Sequence, residues 1–267
     1  MKQETKLKKT LPPVAFFDVD GTLYDHKHNE IPALHMKAIH ELREQGVKVC
    51  LCTGRALPLM ENLGVVDAFD WDGIIGGNGA FVCDKDNHTL FEHYMDPIVV
   101  KDVFERASQQ GVSLFVSGNT VFTTDLLPRT QKMLHDFSVQ GIPTRNLEEQ
   151  DRLSIICLLG DDLDQVAKDY GNFSGMCMIK QSYAIELIPE GLSKYHGIRV
   201  LLDHFGIEED DYIAFGDSYN DVEMLEHAKI SCVMEDGDAR VLEAFSTHCP
   251  SASVGGIYTF LHEEHYL

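Results

Sequence analysis

Positive charge is scarce in this sequence. It holds 22 lysines and arginines against 43 aspartates and glutamates, a formal net charge of −21. Nucleic acids and anionic membranes carry phosphates that such a chain repels, so neither is expected as a partner. Long apolar runs are missing as well, and no stretch approaches the ~18 residues needed to span a bilayer. There is no Cys-x-x-Cys pair, no internal repeat and no low-complexity tract. The seven cysteines (Cys50, Cys52, Cys83, Cys157, Cys177, Cys232 and Cys249) are odd in number, and several sit inside apolar runs. That usage speaks against a disulfide framework and fits a reduced, cytoplasmic chain with buried thiols. Met1 to Thr10 carries four lysines but is followed by Pro12 and Pro13 rather than an apolar signal core. It reads as a mobile polar tail, not a targeting segment. What remains is an ordinary globular composition, 44% hydrophobic and 24% charged over 267 residues, enough for a sizeable core in one or two domains.

Against that background Asp18-Val19-Asp20-Gly21-Thr22 is the most informative stretch. It closes the apolar run Val14-Ala15-Phe16-Phe17. If the run is a strand, the two carboxylates leave on one face, because strand side chains alternate. Like charges that close repel unless a cation or a proton sits between them. A metal-assisted enzyme has a use for such a pair, one carboxylate ligating a divalent cation and attacking, the other handling a proton. Alone, Asp-x-Asp-Gly is equally consistent with a turn. A calcium loop is disfavoured, since no acidic residue stands at the twelfth position and the flanks are strand-like.

Two further apolar runs end in the same manner. Val47 to Cys52 leads into Thr53-Gly54-Arg55, and Tyr212 to Phe215 leads into Gly216-Asp217-Ser218-Tyr219-Asn220-Asp221. Short apolar runs of this kind suit strands buried on both faces of a parallel sheet. In open α/β sheets ligands bind beyond the carboxyl ends of the strands. The pattern therefore sends Asp18, Asp20, Thr53, Asp217, Asn220 and Asp221 to one edge. A fourth element, Ile185 to Gly191, reads as a strand and turn, and Lys194 follows where a helix begins. Ile198, Leu201, Leu202 and Phe205 give that helix its apolar face and Gly206 stops it. A lysine there supplies the fixed positive charge that an anion site needs.

These residues resemble the haloacid dehalogenase superfamily of phosphotransferases. Its four motifs stand in order: Asp18-Val-Asp20-Gly-Thr22, Thr53-Gly54-Arg55, Lys194, and Gly216-Asp217-Ser-Tyr-Asn220-Asp221. The finer similarity is to the Cof-like phosphatases, through Asn78-Gly79-Ala80, Glu186-Leu-Ile-Pro-Glu-Gly-Leu-Ser-Lys194 and the run from Gly216 to Leu225. The likeness covers the chain after its first dozen residues. One segment departs from the pattern: Met234-Glu235-Asp236-Gly237-Asp238-Ala239 stands where the family usually has Met-Gly-Asn-Ala.

The resemblance implies an α/β fold, a Rossmann-like doubly wound parallel sheet with an inserted α+β cap domain. Residues 1–80 and 184–267 would form the catalytic core and residues 81–183 the cap, hinged near Gly76-Gly77 and Glu190-Gly191. Seven strands are expected between Phe81 and Ile188, among them Leu153 to Leu159. Helices are expected near Pro97 to Gln110, Arg129 to Gln140 and Leu163 to Tyr170, packed on one side of the sheet. The implied chemistry is Mg²⁺-dependent hydrolysis of small phosphorylated metabolites, sugar phosphates first, with pyridoxal phosphate and flavin mononucleotide as further candidates. Asp18 would be the nucleophile and Asp20 the general acid and base. Mg²⁺ would be held by Asp18, Asp217, the backbone carbonyl of Asp20, and Asp221 directly or through water. Thr53, Gly54 and Lys194 would bind the phosphoryl oxygens, with Asn220 and Arg55 in support. Asn78 and Arg145 are weaker candidates for substrate contacts and read more readily as a turn residue and a surface cation. His26 and His28 lie just after the first motif, close enough in sequence to approach the site, and read more readily as exposed loop residues. The rival functions are a phosphomutase of the same superfamily, a receiver-like signalling domain and a non-catalytic Mg²⁺-binding protein. The intact Asp20 and the large insertion argue against the receiver, which has no need of a general acid.

Overall fold

A computed structural model describes residues 8–267. Most of the expected N-terminal tail lies outside the described residues. Lys9, at its end, is tied down: its N–H donates to the His265 carbonyl (2.8 Å) and its ammonium pairs with Glu264 (2.5 Å). Among the described residues no helix is long and apolar enough to cross a membrane. The chain divides into two units. One comprises the described residues up to Cys52 with Trp71–Gly73 and Leu202–Leu267; the other comprises Thr53–Asp70 and Ile74–Leu201.

The first unit is built on parallel strands in the order His248–Cys249, Ile230–Met234, Tyr212–Gly216, Val14–Phe17 and Lys48–Cys52. The short apolar runs form the middle strands because both faces are covered: every residue of Val14–Phe17 and Tyr212–Gly216 is buried. Their register sets Phe17 beside Phe215, with rings stacked at 5.3 Å, and Phe16 edge-on to Tyr212 at 5.4 Å. The Tyr212 hydroxyl, fully buried, donates to the Met224 carbonyl (2.8 Å). Cys50 and Cys52 are both inaccessible, as their shared strand face suggests.

His35 is the polar pin of this unit. It lies on helix Ala33–Glu44 and is wholly buried. Its Nδ1–H donates to the Leu23 carbonyl (3.1 Å), and the Ile257 N–H donates to its Nε2 (3.3 Å). One ring nitrogen must be protonated and the other bare, so the imidazole is neutral. It joins the turn after the first motif to the start of helix Gly256–Glu263.

The second unit holds a five-stranded antiparallel sheet in the order Val121–Thr123, Ser113–Gly118, Leu153–Leu159, Ile185–Pro189 and Met176–Lys180. It also holds the hairpin of Phe81–Asp84 with Thr89–Glu92. The sheet takes in Ile185–Pro189, a strand just beyond residue 183. Helices Pro97–Gln110 and Leu163–Tyr170 lay Val100, Val103, Ala107, Val166 and Tyr170 on one face. The other face is not bare, as a one-sided arrangement would leave it: Met133 and Leu59 pack there with Phe115, Ile155 and Leu159. The helix expected to reach Gln140 ends at Asp136. Ser138 turns to φ 54° and the Val139 N–H reaches back to Leu134 O (2.8 Å), a left-handed cap formed without glycine. Of the seven cysteines only Cys177, on an edge strand, is exposed.

Burial lowers the pKa of His35 from its ordinary 6.5, an effect that outweighs the hydrogen bond to Leu23. The unfolded chain therefore takes up a proton that the folded ring refuses, and stability is lost as pH falls through the unfolded value. The melting temperature should drop between about pH 8 and pH 5. The slope should flatten in His35→Asn. An identical slope in that variant would place the titration on another group.

Candidate active site

The first motif is wrapped around the last. The Asp18 N–H continues the ladder by donating to Phe215 O (3.0 Å). The chain then folds back on itself, with Leu23 N–H on Asp18 O (3.1 Å), Tyr24 N–H on Val19 O (2.8 Å) and Gly21 N–H on Tyr24 O (3.2 Å). Gly21 has φ +81°, and a Cβ there would lie 2.6 Å from Asp217 Oδ2. Glycine is thus required both by conformation and by the close approach of the carboxylate. The Thr22 hydroxyl is 3.4 Å from Asp217 Oδ1.

After strand Tyr212–Gly216 the chain makes a tight turn held by Asp221, which is fully buried. Its Oδ2 accepts the N–H groups of Asp217 (3.0 Å) and Ser218 (2.9 Å). The Ser218 hydroxyl donates to Asn220 Oδ1 (2.6 Å), which fixes the Asn220 side chain. The divergent segment Met234 to Ala239 still meets this turn, because the Asp238 N–H donates to Asp217 O (2.7 Å). The same Asp238 caps helix Ala239–Ala244 through its side chain, so added acidity there serves local structure.

Oxygens of Asp18, Asp217 and Asp221 lie within 4.8 Å of one another. Two of the three residues are buried. At such separations each pair of ionised carboxylates repels by on the order of 3 kcal/mol at an effective dielectric near 20. A hard divalent cation is the natural ligand for an all-oxygen set of this kind, and Mg²⁺ fits.

Asp20 stands beside this cluster rather than in it. Its Oδ1 is 2.7 Å from His26 Nε2. This corrects the reading of His26 as an exposed loop residue: its side chain is only 22% exposed. Residues 20–30 fold into a small flap through the bridges Asp20–Tyr24 and Asp25–Glu30, and the His26 ring packs edge-on to Tyr24 at 5.1 Å. His28 does behave as a loop residue, 62% exposed and paired with Asp25. No spacing rule in the sequence marks His26, because the contact depends on the flap closing.

The remaining site candidates belong to the second unit. The Thr53 N–H donates to Ile75 O (2.9 Å), its carbonyl accepts the Asn78 N–H (3.1 Å), and its hydroxyl accepts the Arg55 N–H (3.1 Å). The hydroxyl proton is left to be donated elsewhere. Gly54 is half-buried between them. Arg55 is buried, and its guanidinium donates to Phe137 O (2.6 Å). Asn78 sits at φ 54° as a turn residue. At Gly79 a Cβ would come within 2.1 Å of Ser193 O, so the Asn78-Gly79 turn is pressed against the start of helix Lys194–Phe205. Lys194 is 1% exposed, a buried cation at the first position of that helix. Glu186 is also buried; burial raises its pKa, against the pull of hydrogen bonds from Tyr183 and Gln181 and of nearby Lys194. Arg145 is not a loose surface cation. It grips Asp151 with two bonds (2.7 and 2.9 Å) and lies 3.8 Å over the Phe122 ring.

Residues 15–261 match the family model described as haloacid dehalogenase-like hydrolase. The chain belongs to that family. Within it the chain falls in the Cof-like group and is a phosphatase, a hydrolase of phosphoric monoesters. An HMP-PP phosphatase of Citrobacter koseri is 28% identical over 233 residues, covering 83% of each chain. Among solved structures, BT1666 from Bacteroides thetaiotaomicron, a phosphatase of the superfamily, superposes with a TM-score of 0.82 at 22% identity over 96% of each chain. The subclass IIB sugar phosphatase BT4131 gives the same TM-score and identity, covering 95% of this chain and 99% of its own. These structural likenesses establish the fold of the hydrolase.

If the three carboxylates hold Mg²⁺, the ion should stabilise the fold. Saturation about a hundredfold above Kd adds about 2.7 kcal/mol, read as a rise of several degrees in melting temperature. Asp217→Asn should abolish the rise. Without Mg²⁺ it should melt no lower than the parent, since it relieves repulsion. A variant that keeps the full Mg²⁺ shift would remove Asp217 from the metal site.

Proposed function

We propose that this hydrolase cleaves small phosphorylated metabolites in a Mg²⁺-dependent reaction through an aspartyl-phosphate on Asp18. The observation that carries this reading is the trio of carboxylates with Asp20 at its side. Asp18 attacks phosphorus, the bond to the leaving oxygen breaks, and Asp20 gives that oxygen a proton. Asp20 then takes a proton from the water that attacks the acyl phosphate, which returns Asp18 to its carboxylate and releases phosphate. Asp18, Asp217 and the Asp20 carbonyl would hold the metal, and Asp221 would support it while tying down the turn that carries Asp217. Bound there, Mg²⁺ would neutralise charge on the phosphoryl group and on the carboxylates facing it.

Thr53, Gly54 and Lys194 take the phosphoryl oxygens in this proposal, on the strength of their motifs. Arg55 shapes the loop that presents Thr53, and Asn220 supports the turn at Asp217. A strongly acidic chain repels a phosphate dianion, so a buried lysine and backbone N–H groups are needed to reverse that field locally. Residues 81–183 are proposed as the cap that chooses the substrate, with sugar phosphates as the leading class and a cytoplasmic setting. The phosphatase naming of the Citrobacter koseri relative supports a small phosphorylated substrate.

Phosphate release from a panel of phosphorylated metabolites, with no bisphosphate activator present, tests the reading and separates it from a phosphomutase. Activity should vanish in excess EDTA and return with Mg²⁺. Asp18→Asn should fold, keep its melting profile within a few degrees, and lose at least roughly 10³-fold in kcat. Acid-quenched parent enzyme should carry one phosphoryl group on the peptide containing Asp18. Turnover near the parent level in Asp18→Asn would reduce Asp18 to a ligand and end the covalent scheme.

A further inference from the structure

We infer that His26 is a positioning residue for Asp20, fixing which of its two carboxyl oxygens carries the proton that catalysis transfers. The inference rests on the reading of Asp20 as the general acid and base. The His26 Nε2 to Asp20 Oδ1 distance is 2.7 Å, within the range of a charge-assisted hydrogen bond. Both side chains are mostly shielded, 22% and 23% exposed. The histidine is held from behind by the Tyr24 ring at 5.1 Å, and Tyr24 is itself bridged to Asp20. With its proton on Nε2, His26 is the donor that the flap returns to the carboxyl from six residues downstream.

An aspartate carboxyl turns broadly about its last torsion, and its two oxygens exchange places at little cost. A donor fixed on Oδ1 ends that equivalence. Oδ1 becomes the acceptor, and the proton given to the leaving oxygen resides on Oδ2. Orientation of this kind lowers the barrier only where a proton is in flight, so it matters most for leaving groups that depart poorly without one. Asp18, Asp217 and Asp221 form their own side-chain cluster, and Asp20 would reach the metal through its backbone carbonyl rather than through the carboxyl that His26 contacts.

The test uses the full chain with Mg²⁺ and compares kcat/KM, which reports steps up to phosphoryl transfer, for an alkyl phosphate such as glycerol phosphate and for p-nitrophenyl phosphate. In His26→Ala the alkyl value should fall about tenfold, while the aryl value stays within about twofold. His26→Gln, whose amide N–H reaches about as far as Nε2, should restore the alkyl-to-aryl ratio to within about threefold of the parent. His26→Asn, which reaches only as far as Nδ1, should behave as His26→Ala. Should the alanine variant fail to fold, the Gln and Asn pair carries the same comparison. Equal losses on both substrates, or Gln and Asn variants that behave alike, would overturn the inference and leave the function standing. Asp20→Asn is the control and should skew the ratio more strongly than any His26 variant. If it lowers both substrates equally, the acid–base reading of Asp20 falls and this inference falls with it.

Discussion

The mutual repulsion of Asp18, Asp217 and Asp221 is the constraint on which the first unit is built. Three carboxylates within 4.8 Å cannot be brought together by attraction among themselves. They are placed by backbone. Asp18 directly follows a fully buried strand, and Asp217 follows the neighbouring strand in parallel register. Asp221 is anchored by two N–H donors of the turn it closes. Burial of Val14–Phe17 and Tyr212–Gly216 therefore offsets the electrostatic cost of gathering charge at their ends. Gly21 then lets the first motif approach Asp217 more closely than any side chain would allow.

The divergent segment is likewise held by backbone. Met234 to Ala239 is two residues longer than the family's Met-Gly-Asn-Ala and more acidic, yet its contact with the turn is made by the backbone N–H of Asp238. A main-chain donor tolerates substitution so long as the loop conformation survives. Asp238 secures that conformation by capping the next helix, and Arg240 grips the Asp238 carboxylate in return.

Sequence patterns reveal what is local and periodic. Strand Leu153–Leu159 and helices Pro97–Gln110 and Leu163–Tyr170 fall where apolar spacing and the flanking glycines and proline put them. The convergence of Asp18, Asp217 and Asp221 was legible because parallel strands end at a common edge. Features that depend on a chain reversal were not. The helix from Pro128 stops at Asp136 because Ser138 adopts a left-handed conformation, which serine rarely signals. His26 looked like loop because its partner is reached only when residues 20–30 close. Arg145 looked like a surface cation because Asp151 and Phe122 are brought to it by a long irregular connection and a strand that no periodicity links.

The second unit meets a related electrostatic demand with the opposite sign. Lys194 is 1% exposed and Glu186 is buried eight residues earlier in the chain. Burial drives the Glu186 carboxyl upward despite Lys194, Tyr183 and Gln181. In a chain that carries about twice as many acidic as basic residues, a buried lysine at the start of a helix puts scarce positive charge where the helix end already carries it. It is the arrangement an anion-binding role would call for. The cost of burying that cation falls on the apolar sheet around Ile185–Pro189, just as the cost of the carboxylate trio falls on the buried strands of the first unit.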